Sequence, residues 1–273
     1  MKRTWFSLVT SVAFAALLYG PSPALAQTAP PLGTAQNFAV LGGSTVTNTG
    51  SSTITGDFGV SPGSAYSGFP PGLVVSGTIH AADATAAAAQ TSVTTAYNSL
   101  ESQACTQDLT GQDLGGKTLT AGVYCFSTSA QLTGTLTLNA QGNAGAVFIF
   151  KIGSTLTTAS GSSVVVINSG SVCNVFWQVG SSATLGTTTS FAGNILALSS
   201  ITLNTGANVT ARTLARNGAV TLDSNNVSVS SCAGGPGPVP TLPQWGVSFL
   251  AAGLLGLGYL RLRRRSAAAA RTA

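Results

Sequence analysis

The sequence predicts a mainly β fold: a triangular β-solenoid with one long α-helix packed alongside, followed by a C-terminal transmembrane helix. Three observations predict it. A Thr-Leu pair returns in matching surroundings at Thr155-Leu156, Thr184-Leu185, Thr202-Leu203 and Thr221-Leu222, with steps of 29, 18 and 19 residues between the threonines. Neighbouring side chains of a strand point to opposite faces, so each Leu turns inward and each Thr looks out. A period of roughly 18 residues built from short β-type runs is the trace of stacked coils. Within residues 80–103, by contrast, Ala82, Ala86, Ala89, Val93, Ala96, Tyr97 and Leu100 fall at steps of three and four with no Gly or Pro between, a helical stripe. Near the C terminus, the apolar stretch Leu242 to Leu262 meets the requirement of about 20 residues for crossing a bilayer.

In chain order, Lys2-Arg3, an apolar run from Trp5 to Tyr19 and Ala24-Leu25-Ala26 form a signal peptide over 1–26, with the mature chain starting at Gln27. Residues 27–233 form the solenoid domain. Its first coils are expected in the Gly-, Ser- and Thr-rich region 33–77, interrupted near Pro62 to Pro71 by an irregular capping loop. The helix follows over about 80–103, its Ala stripe allowing close approach to one flank. The coils then resume in three columns. One holds Val123-Tyr124-Cys125-Phe126, Val147-Phe148-Ile149-Phe150, Val175-Phe176-Trp177-Gln178, Ile195-Leu196-Ala197-Leu198 and Thr213-Leu214-Ala215-Arg216, and as the most apolar it suits the helix-covered side. The Thr-Leu column, begun by Gln131-Leu132-Thr133, is the second. Thr135-Leu136-Thr137-Leu138, Val164-Val165-Val166-Ile167, Ser190-Phe191-Ala192, Val209-Thr210 and Val227-Ser228-Val229 make the third. A Gly/Pro linker (234–240), a sorting and transmembrane segment (241–265) closed by Arg263-Arg264-Arg265, and a short cytoplasmic tail (266–273) complete the chain.

Only 6% of the residues are charged, against about 25% in ordinary globular proteins, and 44% are apolar, which excludes a disordered chain. The narrow core of a solenoid is expected to take small and aliphatic side chains rather than large aromatics. The net charge of +5 comes from the ends: residues 27–233 hold four basic and six acidic residues, a net of −2. That domain has no basic patch for nucleic acid. Export permits disulfides among Cys105, Cys125, Cys173 and Cys232. Of the three connectivities, Cys105–Cys125 would tie the helix end to the solenoid and Cys173–Cys232 would clamp the final coil, and this pairing is favoured. No CxxC spacing or companion histidine suggests zinc, and no cofactor or metal is expected.

The passage from about Leu32 to Cys232 resembles the bacterial and fungal ice-binding protein family known by its domain-of-unknown-function number, 3494. The likeness is carried by Asn37-Phe38-Ala39-Val40-Leu41-Gly42, Ile54-Thr55-Gly56-Asp57-Phe58-Gly59-Val60-Ser61-Pro62-Gly63, Gly122-Val123-Tyr124, Ala146-Val147-Phe148-Ile149-Phe150, Asn174-Val175-Phe176-Trp177-Gln178-Val179-Gly180 and Gly193-Asn194-Ile195-Leu196-Ala197. The resemblance implies a discontinuous, right-handed solenoid that binds ice through one flat face. Family members often carry T-A/G-x-T/N near that face: Thr205-Gly206-Ala207-Asn208 fits fully, while Thr158-Ala159-Ser160-Gly161 and Thr133-Gly134-Thr135-Leu136 fit only at their starts. The segment Val239-Pro240-Thr241-Leu242-Pro243-Gln244-Trp245-Gly246 resembles an IPTL-type C-terminal sorting signal. It implies a transient inner-membrane anchor, recognition by an exosortase-like protease and, with Sec export directed by the signal peptide, cell-surface or extracellular placement in a Gram-negative bacterium. A lasting membrane anchor is the plainer alternative.

The expected ice-contacting residues are Thr133, Thr155, Thr157, Thr184, Thr202, Asn204 and Thr221, with Asp223 at the edge, and the motif adds Thr205 and Asn208. Stacked strands repeat at about 4.7–4.9 Å and alternate residues along a strand at about 6.6 Å, both near repeats of the ice lattice. A Thr methyl orders adjacent water, its hydroxyl anchors that water, and β-branching limits the rotamer entropy lost on adsorption. Gln131, Gly186 and Asp223 interrupt the column and argue for a modest ice-binder. An enzyme would need paired carboxylates or a triad, yet the acids are scattered, only Asp108 and Asp113 are close, and His80 is the sole histidine. A cell-surface adhesin or polysaccharide-binding structural solenoid is the second reading, and assays of ice growth and glycan binding separate the two.

Overall fold

Short alternations bounded by Gly, Asn and Ser make short strands, and each turn re-aims the chain to the next side of a three-sided coil. A computed structural model describes residues 27–232, which contain 22 strands, one α-helix and three short 3-10 segments. The strand pairs are parallel, because each coil returns the chain to the same side one rung further on.

Along the first side run Gln107–Asp108, Gly122–Phe126, Phe148–Ile152, Val175–Val179 and the second halves of Ser190–Ala197 and Asn208–Ala215. On the second side lie Ala130–Leu132, Leu156–Thr158, Ala183–Leu185, Ile201–Leu203 and Val220–Asp223. The third holds Thr118–Leu119, Thr135–Asn139, Ser163–Ile167, the first halves of Ser190–Ala197 and Asn208–Ala215, and Asn226–Ser228. The three columns thus match those expected.

The coils of residues 33–77, expected first, are last in space. Phe38–Gly42 pairs with Asn208–Ala215, Thr45–Thr49 with Val220–Asp223, and Thr53–Thr55 with Asn226–Ser228. Asp57–Val60, Ala65–Ser67, Leu73–Val75 and Ile79–Ala81 then finish the stack. Ala65–Ser67 is therefore a rung of the second side inside what was expected to be an irregular capping loop. The stack is discontinuous in sequence, and the helix carries the chain from its last coil back to its first.

That helix spans Ala84–Glu101, shorter than the expected 80–103 because Ile79–Ala81 is still strand and Asp83 is the N-cap, accepting from the Ala86 N–H at 2.8 Å. His80 Nδ1 lies 2.7 Å from Asp83 Oδ2, so the only histidine supports the cap. Eighteen residues give about 27 Å of helix. Ala86, Ala89, Val93, Ala96, Tyr97 and Leu100 are buried against Phe38, Leu41, Val123, Ile149, Phe176, Leu196 and Leu214, the outward residues of the first side.

Inside the coils, Leu136, Leu156, Leu185, Leu203, Leu222 and Ile54 are fully covered. The interior also takes large aromatics, contrary to expectation. Tyr124, Phe150 and Trp177 stack rung over rung with ring centroids 5.4 and 3.9 Å apart, and Phe191 of the third side meets the Trp177 ring at a tilt, 4.8 Å away. Parallel in-register stacking puts like residues over one another, so rings share a layer spacing that suits offset contact. The buried Trp177 indole donates to the Ala192 carbonyl at 3.0 Å.

Arg212 is buried where the discontinuous halves meet. Its guanidinium donates to the Gln36 carbonyl from Nε at 3.0 Å and again from Nη2, and to Asn194 Oδ1 at 2.7 Å. Burial lowers its pKa to about 10. Cys105–Cys125 and Cys173–Cys232 are the disulfides formed, the pairing favoured from the sequence. Residues 27–232 thus carry a continuous apolar core inside the coils, a second apolar cluster under the helix and two disulfides. The expected signal peptide, linker, sorting motif (Val239, Pro240, Thr241, Leu242, Trp245, Gly246), transmembrane segment and tail lie outside the described residues. Among the described residues no helix is long and apolar enough to cross a membrane.

Candidate functional site

The second side is a seven-stranded sheet whose central outward position is filled, rung by rung, by Gln131, Thr157, Thr184, Thr202, Thr221, Thr47 and Ser67. Five successive rungs present threonine. On the first six rungs the residues on either side turn inward: Ala130, Leu132, Leu156, Thr158, Ala183, Leu185, Ile201, Leu203, Val220, Leu222, Val46 and Asn48 are all buried. Inward layers made mostly of small and aliphatic side chains let consecutive rungs stack without bulging. Thr157, Thr184 and Thr202 have no side-chain hydrogen-bond partner among the described residues, so their hydroxyls are free to meet water. Thr47 and Thr221 stand with their hydroxyls 3.5 Å apart.

Of the expected contact residues, Thr157, Thr184, Thr202 and Thr221 share this central rank. Thr155 lies elsewhere. Leu156 pairs with Ala183 and not Leu185, so the early repeat is slipped by two residues. Thr155 falls in the flanking outward rank, its hydroxyl 2.8 Å from that of Ser129. Thr133, Asn204 and Asp223 occupy the opposite outward flank, where Asp223 pairs with Thr49. Asp223 accepts hydrogen bonds from the hydroxyls of Thr205 and Ser224. Beyond Thr133 the face ends at Asp113, which accepts from the Gly115 and Thr133 N–H groups at 2.6 and 3.0 Å. Burial pushes the Asp113 carboxyl up, but these donors outweigh it and hold it below the ordinary carboxylate range.

Thr45, Thr47 and Thr49 were missed in the sequence. Their alternation Thr45-Val46-Thr47-Asn48-Thr49 is the available signal, with Thr45 and Thr47 half-buried and Thr49 exposed. Nothing local tells that this strand joins Val220–Asp223.

The motif Thr205-Gly206-Ala207-Asn208 turns the corner from the threonine face to the third side. Gly206 has φ of 72°, and the equivalent corners place Gly161, Thr188, Ser224 and Gly50 at φ of 69°, 57°, 54° and 75°. A left-handed residue at each turn is what Gly supplies without strain. Ala207 is buried under the corner. Asn208 stands on the third side and staples the turn, its amide donating to the Gly206 carbonyl at 3.0 Å. Asn208 is thus no member of the threonine face.

Among the described residues no group of three or more His, Cys, Asp or Glu side chains is placed to hold a metal ion. A groove of about 540 Å³ opens beside the helix C terminus and is lined by Tyr97, Glu101, Asp108, Lys151 and Gln178. Its charged residues are spread around an open rim, and it lies on the helix side, away from the threonines.

A family model described as Ice-binding-like matches residues 40–228. An ice-binding protein of Nostoc sp. (strain HG1) is 58% identical over 229 residues, 83% of this chain and 84% of that protein. The crystal structure of an ice-binding protein from an Antarctic biological consortium matches with a TM-score of 0.73 and 46% identity, over 77% of this chain and 95% of that one. The structure of an ice-binding protein from the ascomycete Antarctomyces psychrotrophicus matches at 0.72 and 41%, over 74% and 98%. With this match extending across all three columns and the threonine face, the chain belongs to the ice-binding-like protein family.

Proposed function

We propose that this protein adsorbs to ice crystals through the threonine face and so inhibits their growth or recrystallisation. The observation that carries the reading is the run Thr157, Thr184, Thr202, Thr221 and Thr47, in register on five neighbouring strands. Rungs about 4.8 Å apart offer a methyl and a hydroxyl each on a rigid grid. The three central hydroxyls are free of protein partners, and Asp223 is the only charged residue on these strands. The activity is adsorption, not catalysis.

Residues Thr155, Thr133, Asn204, Thr205 and Asp223 flank this rank and make up the edges of the proposed surface, and Thr45 and Thr49 extend it. The coils are taken to wind right-handed, the hand that parallel crossovers favour. Export fits the two disulfides, which persist in oxidising compartments. The tail from Val239 supports a transient anchor, processing by an exosortase-like protease and display at the surface or release.

The test is thermal hysteresis and ice-recrystallisation inhibition on purified residues 27–233. Activity in either assay is the expected result. Silence in both, with tight binding to a glycan, would replace ice with a polysaccharide and the inhibitor with an adhesin.

A further inference from the structure

The first side is roofed by the helix, and the charged groups Glu101, Asp108, Lys151 and Arg216 gather there. The third side has no such cover. From Thr135–Asn139 to Leu73–Val75, seven of its eight rungs expose no Lys, Arg, Asp or Glu, Arg212 being buried in the second half of Asn208–Ala215, which belongs to the first side. We propose, on the ground of the ice-adsorption reading above, that this third face also adsorbs ice, on a crystal plane inclined to the one taken by the threonine face.

The third face has its own rank of small polar residues. Thr135, Ser163, Ser190, Asn208, Asn226 and Thr53 are in register on six successive strands. Beside them stands a second outward rank that includes Thr137, Thr210 and Thr55, whose hydroxyls have no partner among the described residues. Val165, 41% exposed, adds an apolar contact to that rank. Because both faces are cut from the same coils, both inherit the same repeat of about 4.8 Å along the stack.

Continuity supports ice as the occupant. The two faces meet at the corner that the Thr-Gly-Ala-Asn motif turns, and the corner itself carries hydroxyls, with Thr187 donating to Ser160 at 2.7 Å. A hydroxyl-bearing surface therefore passes from one face onto the other, its carboxylates confined to Asp223 and, at the first rung, Asp113. A flat crystal meets one face at a time, so the two faces select different planes. A second surface raises the number of orientations from which the protein can be captured by a growing crystal.

The experiment is plane labelling of a single-crystal ice hemisphere by residues 27–233 fused to a fluorescent protein. The parent is compared with Thr202→Tyr, Thr210→Tyr and the double variant, and circular-dichroism melting checks that each is folded. Ser190→Tyr, on an exposed rung, serves if Thr210→Tyr does not fold. The parent is expected to label two sets of planes, each single variant to lose a different set, and the double variant to leave the crystal dark. If Thr202→Tyr alone darkens the crystal while Thr210→Tyr labels like the parent, the second face is refuted and the ice reading stands. Complete loss in Thr210→Tyr with none in Thr202→Tyr also refutes two faces and moves the site. Either a dark crystal with the parent or parent-like labelling by all variants defeats the inference together with the reading beneath it.

Discussion

Thr202 occupies the fourth of seven rungs, with three on each side, so Thr202→Tyr tests adsorption at the centre of the face. The ring stands proud of its neighbours. A rigid plane resting on it loses contact quickly, since a gap of about 0.5–1 Å already forfeits a quarter to a half of the dispersion well. Even if the protein tilts, the three rungs on one side are the most that can still touch, fewer than half of seven. The same substitution at Ser67, on the last rung, leaves six. Hysteresis from this face should therefore fall below half for Thr202→Tyr and stay near the parent for Ser67→Tyr. Neither should unfold the domain: Thr202 makes no side-chain hydrogen bond, and exposed changes stay within about 0.5 kcal/mol. At about 2–4 °C per kcal/mol for a domain of this size, the melting shift is about 2 °C or less. Paired thermal-hysteresis and melting measurements decide it. Equal activity in the central and end variants, both folded, would refute rung-by-rung contact.

Three further outcomes follow from the same geometry. Asp223→Asn keeps an oxygen toward Thr205 while removing the one charge carried on the strands of the face, so hysteresis should rise with little change in melting; a fall would mean that the charge itself organises the bound water. Replacing Cys173 and Cys232 together by Ala opens a cross-link of sequence separation 59, worth about 4 kcal/mol in the chain-entropy account. That corresponds to roughly 8–16 °C of melting temperature, with an unchanged melt as the contrary result. In alkali, burial raises Tyr97 and Tyr124, so the unfolded chain releases those protons first. Their stability is full below about pH 10 and lost as pH rises through the folded values. Arg212, lowered by burial to about 10, opposes this above that pH. Tyr97→Phe with Tyr124→Phe should flatten the alkaline fall in melting temperature, and an identical fall would refute the assignment.

Much of this architecture was legible because a solenoid writes its sides into the sequence as repeating alternations. Leu156, Leu185, Leu203 and Leu222 could be read as inward residues without knowing which strands they touch. Stacking order could not. Val40 pairs with Thr213, far along the chain, yet Phe38-Ala39-Val40-Leu41 has the same alternation whichever coil it meets. Thr47 therefore went uncounted, although it lengthens the threonine rank. The slip at Thr155 has a related cause. A one-residue shift reverses every side chain, but a two-residue shift preserves all faces, so Thr-Leu-Thr in residues 155–157 fits either register. Space decides between them, since Leu156 stacks on Ala183 and leaves Thr157 above Thr184. The aromatic interior eluded composition for a similar reason. Few aromatics suffice when Tyr124, Phe150 and Trp177 occupy one register position on consecutive rungs. Sequence periodicity thus specifies which face a residue occupies, while the long-range stacking specifies how many rungs that face has. Rung number is what an extended crystal surface responds to, so the part of the site hardest to read from the chain is also the part on which its strength depends.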